Sequence, residues 1–489
     1  MSRELLLALD LGTTGVRALL ITPAARVLSR AYLPLETVFP APGQVEQDPQ
    51  EMWDKSLAVL RSALESAAVS ASEVAGLGVV SQRSTAIAWE TDSGRPVTPA
   101  ISWQDQRTAP EVADWNRKGI PINTLASATK FRWWLEHEPA VQRAAREGRL
   151  CYGTPDSWLG FCLTGGAACV TDPSHASCTG LFDPASGTWS DGLLGLFGVE
   201  GRFLPALVPT SGVVGETLPD LLGASIPLAA RAGDQQAATF AQGAHRAGEA
   251  KLTLGTSGMF DLNTGETPGP AGPGTYPLAL WKLGDAPIEF CLEGTVITAG
   301  AAVDWLVSLG LLAEPSEFDR VGTSVPTTGG VVFVPALQGI GTPFLDHGAC
   351  GLLGGLTRGS GRGEIVRAVA VGIAMRCVDV CEAVGGGEAE LRVDGGLSRS
   401  DLLLGLLADL GGRPVRRSRE IEGTALGGAL LAGLATGVYS GPTDCLKAVG
   451  RGTAFEPSLA PGRRQAARAR WGRILERARS GAEAGPAGW

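Results

Sequence analysis

Histidine is scarce in this chain: 489 residues hold only four, His137, His175, His245 and His347. A histidine-centred triad or a histidine-rich metal site is poorly supplied, so acid–base work falls to carboxylates. The nine cysteines are odd in number and nowhere spaced Cys-x-x-Cys. Cys377 and Cys381, the nearest pair in sequence, stand four apart in a helical stretch. This pattern argues against zinc or a disulfide framework and for buried free thiols in a reducing cytoplasm. No window approaches 18 uninterrupted apolar residues, so no bilayer span is expected. Met1-Ser-Arg-Glu4 runs straight into a strand and lacks the apolar core of a signal peptide. The motif Gly-x-x-x-x-Gly-Lys-Ser/Thr is missing, which excludes a P-loop enzyme. Basic residues are outnumbered, 41 Lys and Arg against 50 Asp and Glu, for a net charge of −9. That balance argues against nucleic acid or an anionic membrane as the main partner.

Apolar residues make up 44% of the chain, enough for real cores, and the length suits two or three domains. Leu5–Leu9, Val16–Ile21 and Val27–Leu33 read as a β-meander with a Gly-rich first turn. Pro49–Ala68 reads as a helix, with Met52, Trp53, Leu57, Leu60 and Leu64 at three-to-four spacing. Strand candidates follow at Val74–Val80, Ile87–Glu90 and Ile101–Trp103. Leu7-Ala-Leu-Asp-Leu-Gly-Thr-Thr-Gly15 is echoed by Leu252-Thr-Leu-Gly-Thr-Ser-Gly258. Two copies of one hairpin suggest two related domains, 1–243 and 244–489. A third Gly-rich turn, Val393-Asp-Gly-Gly396, is expected to open a helix over Arg399–Leu410. Pro461–Trp489 reads as an Arg-rich, solvated terminal helix with a frayed end.

A turn of type Asp-x-Gly-Thr-Thr gathers backbone N–H groups and hydroxyls on one concave face, a nest that suits phosphate. Asp10 could then hold Mg²⁺ through oxygen, and Arg17 could neutralise phosphate charge. The plain alternative is a polar hairpin whose Asp bonds its own turn. Two copies plus the Asp-Gly-Gly turn favour a nucleotide cleft. Asp234 follows Gly233 at the entry of a small-residue helix, Ala237–Gln242. It reads equally as a helix N-cap or as a general base for a substrate hydroxyl. A free aspartate, with a pKa of about 3.9, is ionised at neutral pH and can accept that proton without tuning. Arg83 offers a fork of donors to hydroxyl oxygens and Trp103 a wall for a carbon chain, although core Trp and surface Arg are common.

These motifs together resemble the FGGY carbohydrate kinases, and within them the glycerol kinases. The resemblance runs in order through Asp10-Leu-Gly-Thr-Thr14, Ser81-Gln-Arg83, Trp103-Gln-Asp-Gln-Arg-Thr108, Ala128-Thr-Lys130 and Gly153-Thr-Pro-Asp-Ser-Trp158. It continues through Gly233-Asp-Gln-Gln-Ala-Ala238, Gly255-Thr-Ser257, Ala299-Gly300, Gly351–Gly359, Val393-Asp-Gly-Gly396 and Thr424-Ala-Leu-Gly427. It implies an α/β, two-domain actin/hexokinase/Hsp70-like ATPase fold with ATP and Mg²⁺ in an interdomain cleft. Carried over by position, Asp10 organises Mg²⁺, while Thr13, Thr14, Arg17 and Thr256 contact the phosphates. Gly300, Asp304, Gly396 and Ser400 belong to the nucleotide site. Asp234 is the base, and Arg83, Ser84, Trp103, Leu125, Gln235 and Phe260 line the acceptor pocket. The implied activity is phosphoryl transfer to a primary hydroxyl of a small polyol or sugar, by a cytoplasmic homodimer or homotetramer.

Three positions depart from the glycerol kinase pattern. Ser84 stands where that pattern has Glu, Leu125 where it has Tyr, and Val371 where it has an acid. The first two remove polar contacts to a triol, each worth about 1–3 kcal/mol when buried. A pentulose or tetritol kinase is the alternative they keep open, and a weakly active ATP-binding regulator is a third.

Overall fold

The computed structural model describes residues 3–387 and 389–479. It divides into two compact units. The first takes the chain as far as Gly243 together with Leu278–Glu289 and Thr424–Val449; the second takes Ala244–Pro277, Phe290–Gly423 and the chain from Gly450 onward.

The first unit is built on a five-stranded sheet. Its strands are β1 (Leu5–Leu11), β2 (Gly15–Ile21), β3 (Val27–Pro34), β4 (Val74–Ser81) and β5 (Leu228–Gly233), in the order β5-β4-β1-β2-β3. β1 to β3 form the antiparallel meander, while β4 and β5 add parallel to β1. Leu7, Leu9 and Leu11 with Val16, Ala18 and Leu20 face helix α1 (Pro49–Ser66), which answers with Met52, Val59, Leu60 and Ala63. Asp48 caps α1, its carboxylate accepting from the Gln50 N–H. Two further helices matter here, α2 (Pro155–Leu163) and α3 (Asp234–Ala241). β4 is buried along its whole length, as a parallel strand covered on both faces should be.

A second, seven-stranded sheet is formed by β6 (Ala250–Leu254), β7 (Gly258–Gly265), β8 (Thr275–Lys282), β9 (Ile288–Val296), β10 (Leu391–Asp394), β11 (Val415–Arg417) and β12 (Ala454–Phe455), all in the second unit except Leu278–Lys282 of β8 and the first two residues of β9. Their order is β8-β9-β7-β6-β10-β11-β12. β6-β7-β9 run antiparallel, and β10 and β11 add parallel to β6. With β8 and β12 set aside as edge additions, this repeats the first sheet: an antiparallel trio, then two parallel strands on the flank of its first member. The echo read in the sequence is thus an echo of topology. Helices α4 (Gly300–Ser308), α5 (Arg362–Val384) and α6 (Asp401–Gly411) belong to this unit, and Val380 and Val384 of α5 pack toward Gly294 on β9. Val371 is half-buried on α5 against the core. The opposite face of β6 and β7 is polar, with the buried Lys251 and Asp261 paired across strands at 2.7 Å.

Helix α7 (Gly423–Ala435) lies with the first unit from Thr424 onward. It sits against glycines: a Cβ at Gly78 on β4 would lie 2.1 Å from the Gly428 carbonyl. The terminal Arg-rich helix, α8, spans Pro461–Arg479, and the frayed end expected over 480–489 lies outside the described residues. No helix among the described residues is long and apolar enough to cross a membrane.

Gly427 is the tightest of these contacts, since a Cβ there would lie 1.9 Å from the Ala237 carbonyl on α3. Gly427→Ala therefore has to push α7 away from the helix that begins at Asp234. We expect it to lower the unfolding free energy by about 1–3 kcal/mol, the usual cost of overpacking. A denaturant midpoint equal to that of the unaltered protein would contradict this packing.

Candidate active site

β1, β4 and β5 are parallel neighbours, and their register sets Asp10 beside Val80, Val80 beside Ala232, and Ser81 beside Gly233. Their carboxyl ends therefore meet at one edge, where open α/β sheets bind ligands. Asp10 is the last residue but one of β1, Arg83 follows β4 by two residues, and Asp234 follows β5 directly. Three charged residues scattered over 225 positions of sequence are thus collected by strand order alone.

Asp10 is 4% exposed. Its cross-strand partner Arg17 places Nη1 3.1 Å from Oδ2, with the guanidinium also over the Tyr32 ring. Arg17, expected on the phosphates, thus neutralises Asp10 in this structure. The Asp10 carboxylate is a hard oxygen donor at the sheet edge, chemistry that fits Mg²⁺.

Asp234 is not the cap of α3. Gly233 is, and no side chain caps it; Asp234 is the first helical residue. The Asp234 carboxylate instead accepts from its neighbour's N–H, Gln235, at 2.8 Å, and meets Arg83 Nε at 3.2 Å, both on Oδ1. The backbone behind it is fixed by a buried relay. The Gly233 N–H donates to Ser174 Oγ (2.8 Å), and that hydroxyl donates to Asp172 Oδ1 (2.7 Å). Asp172 also accepts from the His175 N–H and from Thr210 Oγ1, and burial pushes its carboxyl above the ordinary range. The His175 ring lies between Asp156 Oδ1 (3.6 Å) and Ser81 Oγ (3.3 Å). Asp156, Asp172 and His175 could geometrically hold a metal ion. However, hydroxyls of Thr154 and Thr171 already engage Asp156, and the buried Arg231 supplies the compensating charge. The cluster is therefore scaffolding for Gly233 and Ser81.

A closed ring of hydrogen bonds ties the first Gly-Thr turn to Trp103. Trp103 Nε1 donates to Thr13 Oγ1 (2.8 Å), and the Trp103 backbone N–H donates to Thr85 Oγ1 (3.1 Å). Thr85 Oγ1 donates to Gln82 Oε1, Gln82 Nε2 to Gln47 Oε1, and Gln47 Nε2 to the Thr13 carbonyl. Thr14 is exposed at the turn's tip. Ser84 is buried with φ of 65°, a left-handed conformation that costs a non-glycine residue energy and recurs at functional sites. Its hydroxyl reaches the Cys178 carbonyl at 3.4 Å. Leu125 is half-buried, and its carbonyl accepts from Lys130 Nζ (3.1 Å), as does that of Thr124 (2.9 Å). Burial pulls the Lys130 ammonium down to about 7. A neutral amine has two N–H donors, the number these two carbonyls require.

In the second unit, the Gly255-Thr256 carbonyls accept from the N–H groups of Ala299, Gly300 and Ala301 at the start of α4. Thr256 is exposed on that turn, and Asp304 is exposed one helical turn after Gly300. Gly395 presses on β6, where a Cβ would come 2.5 Å from the Leu254 carbonyl, and Gly396 stands exposed beside it. Thr253 Oγ1 donates to Asp394 at 2.6 Å. Two expectations fail here. Phe260 does not line a pocket: it is 0% exposed in the core, facing Gly386 and Arg413. Strand alternation gives the other face to Met259, which is half-buried. Ser400 caps α6 by accepting from the Leu403 N–H, and it donates to Asp319; its hydroxyl is spent on the fold. The helix accordingly begins at Asp401, after a 3₁₀ turn over Gly396–Arg399, rather than at Arg399.

Sequence reasoning did not find Gln47, Thr85, Asp172 or the role of Lys130. Their partners lie far away in sequence, and only folding reveals the pairings.

Residues 5–241 match the N-terminal domain, and 250–436 the C-terminal domain, of the FGGY family of carbohydrate kinases. A glycerol kinase of Aromatoleum aromaticum is 42% identical, covering 97% of this chain and 98% of its own. Among solved structures, a Plasmodium falciparum glycerol kinase with ADP superposes with a TM-score of 0.90 at 27% identity, covering 98% of each chain. A xylulose kinase from Rhodospirillum rubrum gives 0.83 at 25% identity, covering 98% of this chain and 100% of its own.

The depressed Lys130 value carries a sign. Between about 7 and the ordinary lysine value of 10.5, the unfolded chain holds a proton that the folded one has lost. Folded stability must therefore rise with pH across that window. Relative to Lys130→Met, the unaltered protein should gain up to about 1.4 kcal/mol per pH unit between pH 7 and 10. Urea unfolding of both at several pH values measures it; a pH-independent difference would show that Lys130 is not desolvated.

Proposed function

The chain belongs to the FGGY family of carbohydrate kinases and is a phosphotransferase acting on an alcohol group; on that premise we propose that it transfers the γ-phosphoryl group of ATP to a primary hydroxyl of glycerol. The observation that carries the reading is the meeting of Asp10, Arg83 and Asp234 at the carboxyl edge of three adjacent parallel strands. Phosphoryl transfer asks little of a protein beyond a positioned nucleophile and neutralised phosphate oxygens. Asp234 is assigned as the base that takes the hydroxyl proton, and Arg83 holds its Oδ1 so that the carboxylate faces one direction. Trp103, Gln235, Ser84 and Leu125 are assigned to the acceptor. Thr13 and Thr14 are assigned to the phosphates. When bound, Mg²⁺ supplies positive charge to the phosphate oxygens, and Asp10 would hold it directly or through water. Arg17, which pairs with Asp10 here, is assigned to the phosphates as well. In the second unit the nucleotide is assigned Thr256, Gly300, Asp304 and Gly396. The same reading places the protein in the cytoplasm, as a homodimer or homotetramer.

A pentulose acceptor is the second reading. It is favoured by Ser84 and Leu125, which offer a triol no carboxylate and no phenol.

An ADP-release assay over glycerol, tetritols and ketopentoses tests the choice: the highest kcat/KM should belong to glycerol, and a preference for a ketopentose would select the second reading. Asp234→Asn should lower kcat by about 10²–10⁴ with the KM for ATP near that of the unaltered protein. Normal turnover in that variant would remove Asp234 from the base role. Asp10→Ala should raise the Mg²⁺ concentration needed for half-maximal rate while leaving acceptor KM little changed, which initial rates with each ligand varied would report.

A further inference from the structure

Cys151 and Cys169, 18 residues apart in sequence, bring their sulfur atoms to 3.2 Å. Cys151 lies buried in the strand Leu150–Gly153, which pairs with Ile87–Glu90. Cys169 is half-buried and immediately precedes the strand Val170–Thr171. The separation exceeds a disulfide bond of about 2.05 Å, so the two are free thiols in contact. Their environments differ in a chemically useful way. The hydrogen bond to Cys169, together with burial, pushes the Cys151 thiol far above its ordinary value. The same bond holds Cys169 below the ordinary thiol value. Cys169 is therefore the sulfur that an outside disulfide can reach first, while Cys151 lies buried behind it.

We propose that Cys151 and Cys169 form a reversible disulfide, with Cys169 attacking a low-molecular-weight disulfide such as oxidised glutathione and Cys151 resolving the product. In the first step the Cys169 thiolate attacks one glutathione sulfur. The glutathione S–S bond breaks, and one glutathione leaves as a thiolate that takes up a proton. Cys151 then loses its proton and attacks the Cys169 sulfur. The second glutathione leaves, and the intramolecular bond forms. The two protein thiols are oxidised by two electrons, and one glutathione disulfide is reduced to two thiols. The contact places Cys151 to resolve the mixed disulfide without movement of the chain, and its raised thiol value makes this the slower of the two steps.

The bond would sit at the root of the scaffold behind the site. Thr171, two residues after Cys169, donates to Asp156 Oδ2 at 2.8 Å. Asp156 is the second residue of α2, five residues after Cys151. The closed loop therefore contains the whole of α2. This inference does not depend on which alcohol is phosphorylated.

The test is to incubate the full-length protein with oxidised glutathione, quench in acid, alkylate and map peptides by mass spectrometry. A Cys151–Cys169 cross-linked peptide, lost again on treatment with dithiothreitol, is expected. The exposed Cys350 serves as the internal control and should carry glutathione as a mixed disulfide. Cys151→Ser should stop at a mixed disulfide on Cys169, and Cys169→Ser should leave Cys151 reduced. If Cys350 is modified while Cys151 and Cys169 remain unlinked in the unaltered protein, the proposal fails. If Cys151 reacts as readily without Cys169, the assigned order of attack fails. The peptide map of the unaltered protein decides the matter even where a serine variant does not fold.

Discussion

The closed ring through Trp103, Thr13, Gln47, Gln82 and Thr85 is the constraint on which the first unit's chemistry depends. Each member satisfies a neighbour on either side, so displacing one leaves two polar groups unpaired. A buried hydrogen bond contributes only about 1 kcal/mol net, but an orphaned buried group costs about 1–3 kcal/mol. Gln47, Gln82 and Thr85 are buried, so the larger penalty applies to them. The ring therefore fixes the position of Thr13, on the turn assigned to phosphate, relative to Trp103, in the wall assigned to the acceptor. The separation between two substrates must be held to fractions of an ångström for in-line transfer, and a ring of directional bonds is stiffer than an apolar contact.

The carboxylates raise the opposite problem. Asp10 and Asp234 stand near one sheet edge, and like charges in a partly buried place repel. Each is held by its own arginine: Arg17 reaches Asp10 across the hairpin, and Arg83 reaches Asp234 across the strand ends. The hairpin register delivers the first pair, and the parallel strand order delivers the second. The relay Gly233–Ser174–Asp172 and the contact of His175 with Ser81 anchor the backbone on both sides of the second pair. Residues set back from the sheet edge thus determine where Asp234 points.

Local sequence carries the parts of this design that obey local rules. The meander, α1 and both Gly-Thr hairpins follow from alternation, helical spacing and turn chemistry, and the repeated hairpin announced the repeated topology. Three kinds of information were not legible. Partners across the ring lie up to 90 residues apart, with no shared spacing to reveal them. The second is the cap of α3: an acid after glycine can read as a cap, but Gly233 holds that place and the Asp234 carboxylate meets Arg83 and the Gln235 N–H. The third is register. Aligned by their glycines, Phe260 corresponds to Arg17, but the turns differ by one residue. In the first hairpin Leu11 pairs with Val16, and in the second Leu254 pairs with Gly258. A slip of one residue exchanges the faces of a strand, so Phe260 enters the core and Met259 takes the open side.

The same comparison separates two uses of glycine that look identical in sequence. In a phosphate nest, glycine frees N–H groups toward a ligand. In the second unit, glycine also lets backbone meet backbone: a Cβ at Gly300 would lie 2.6 Å from the Gly255 carbonyl, and one at Gly395 would lie 2.5 Å from that of Leu254. The α4 N–H groups are consumed by the Gly255-Thr256 carbonyls, so that turn is held from behind by a helix rather than by a charged pair. No acid stands at the position equivalent to Asp10; Thr253 is there, donating to Asp394 on the neighbouring strand. The repeated topology gives two equivalent sheet edges. The one with a carboxylate near the strand end offers hard oxygen atoms to a cation, while the other is stiffened by close glycine contacts.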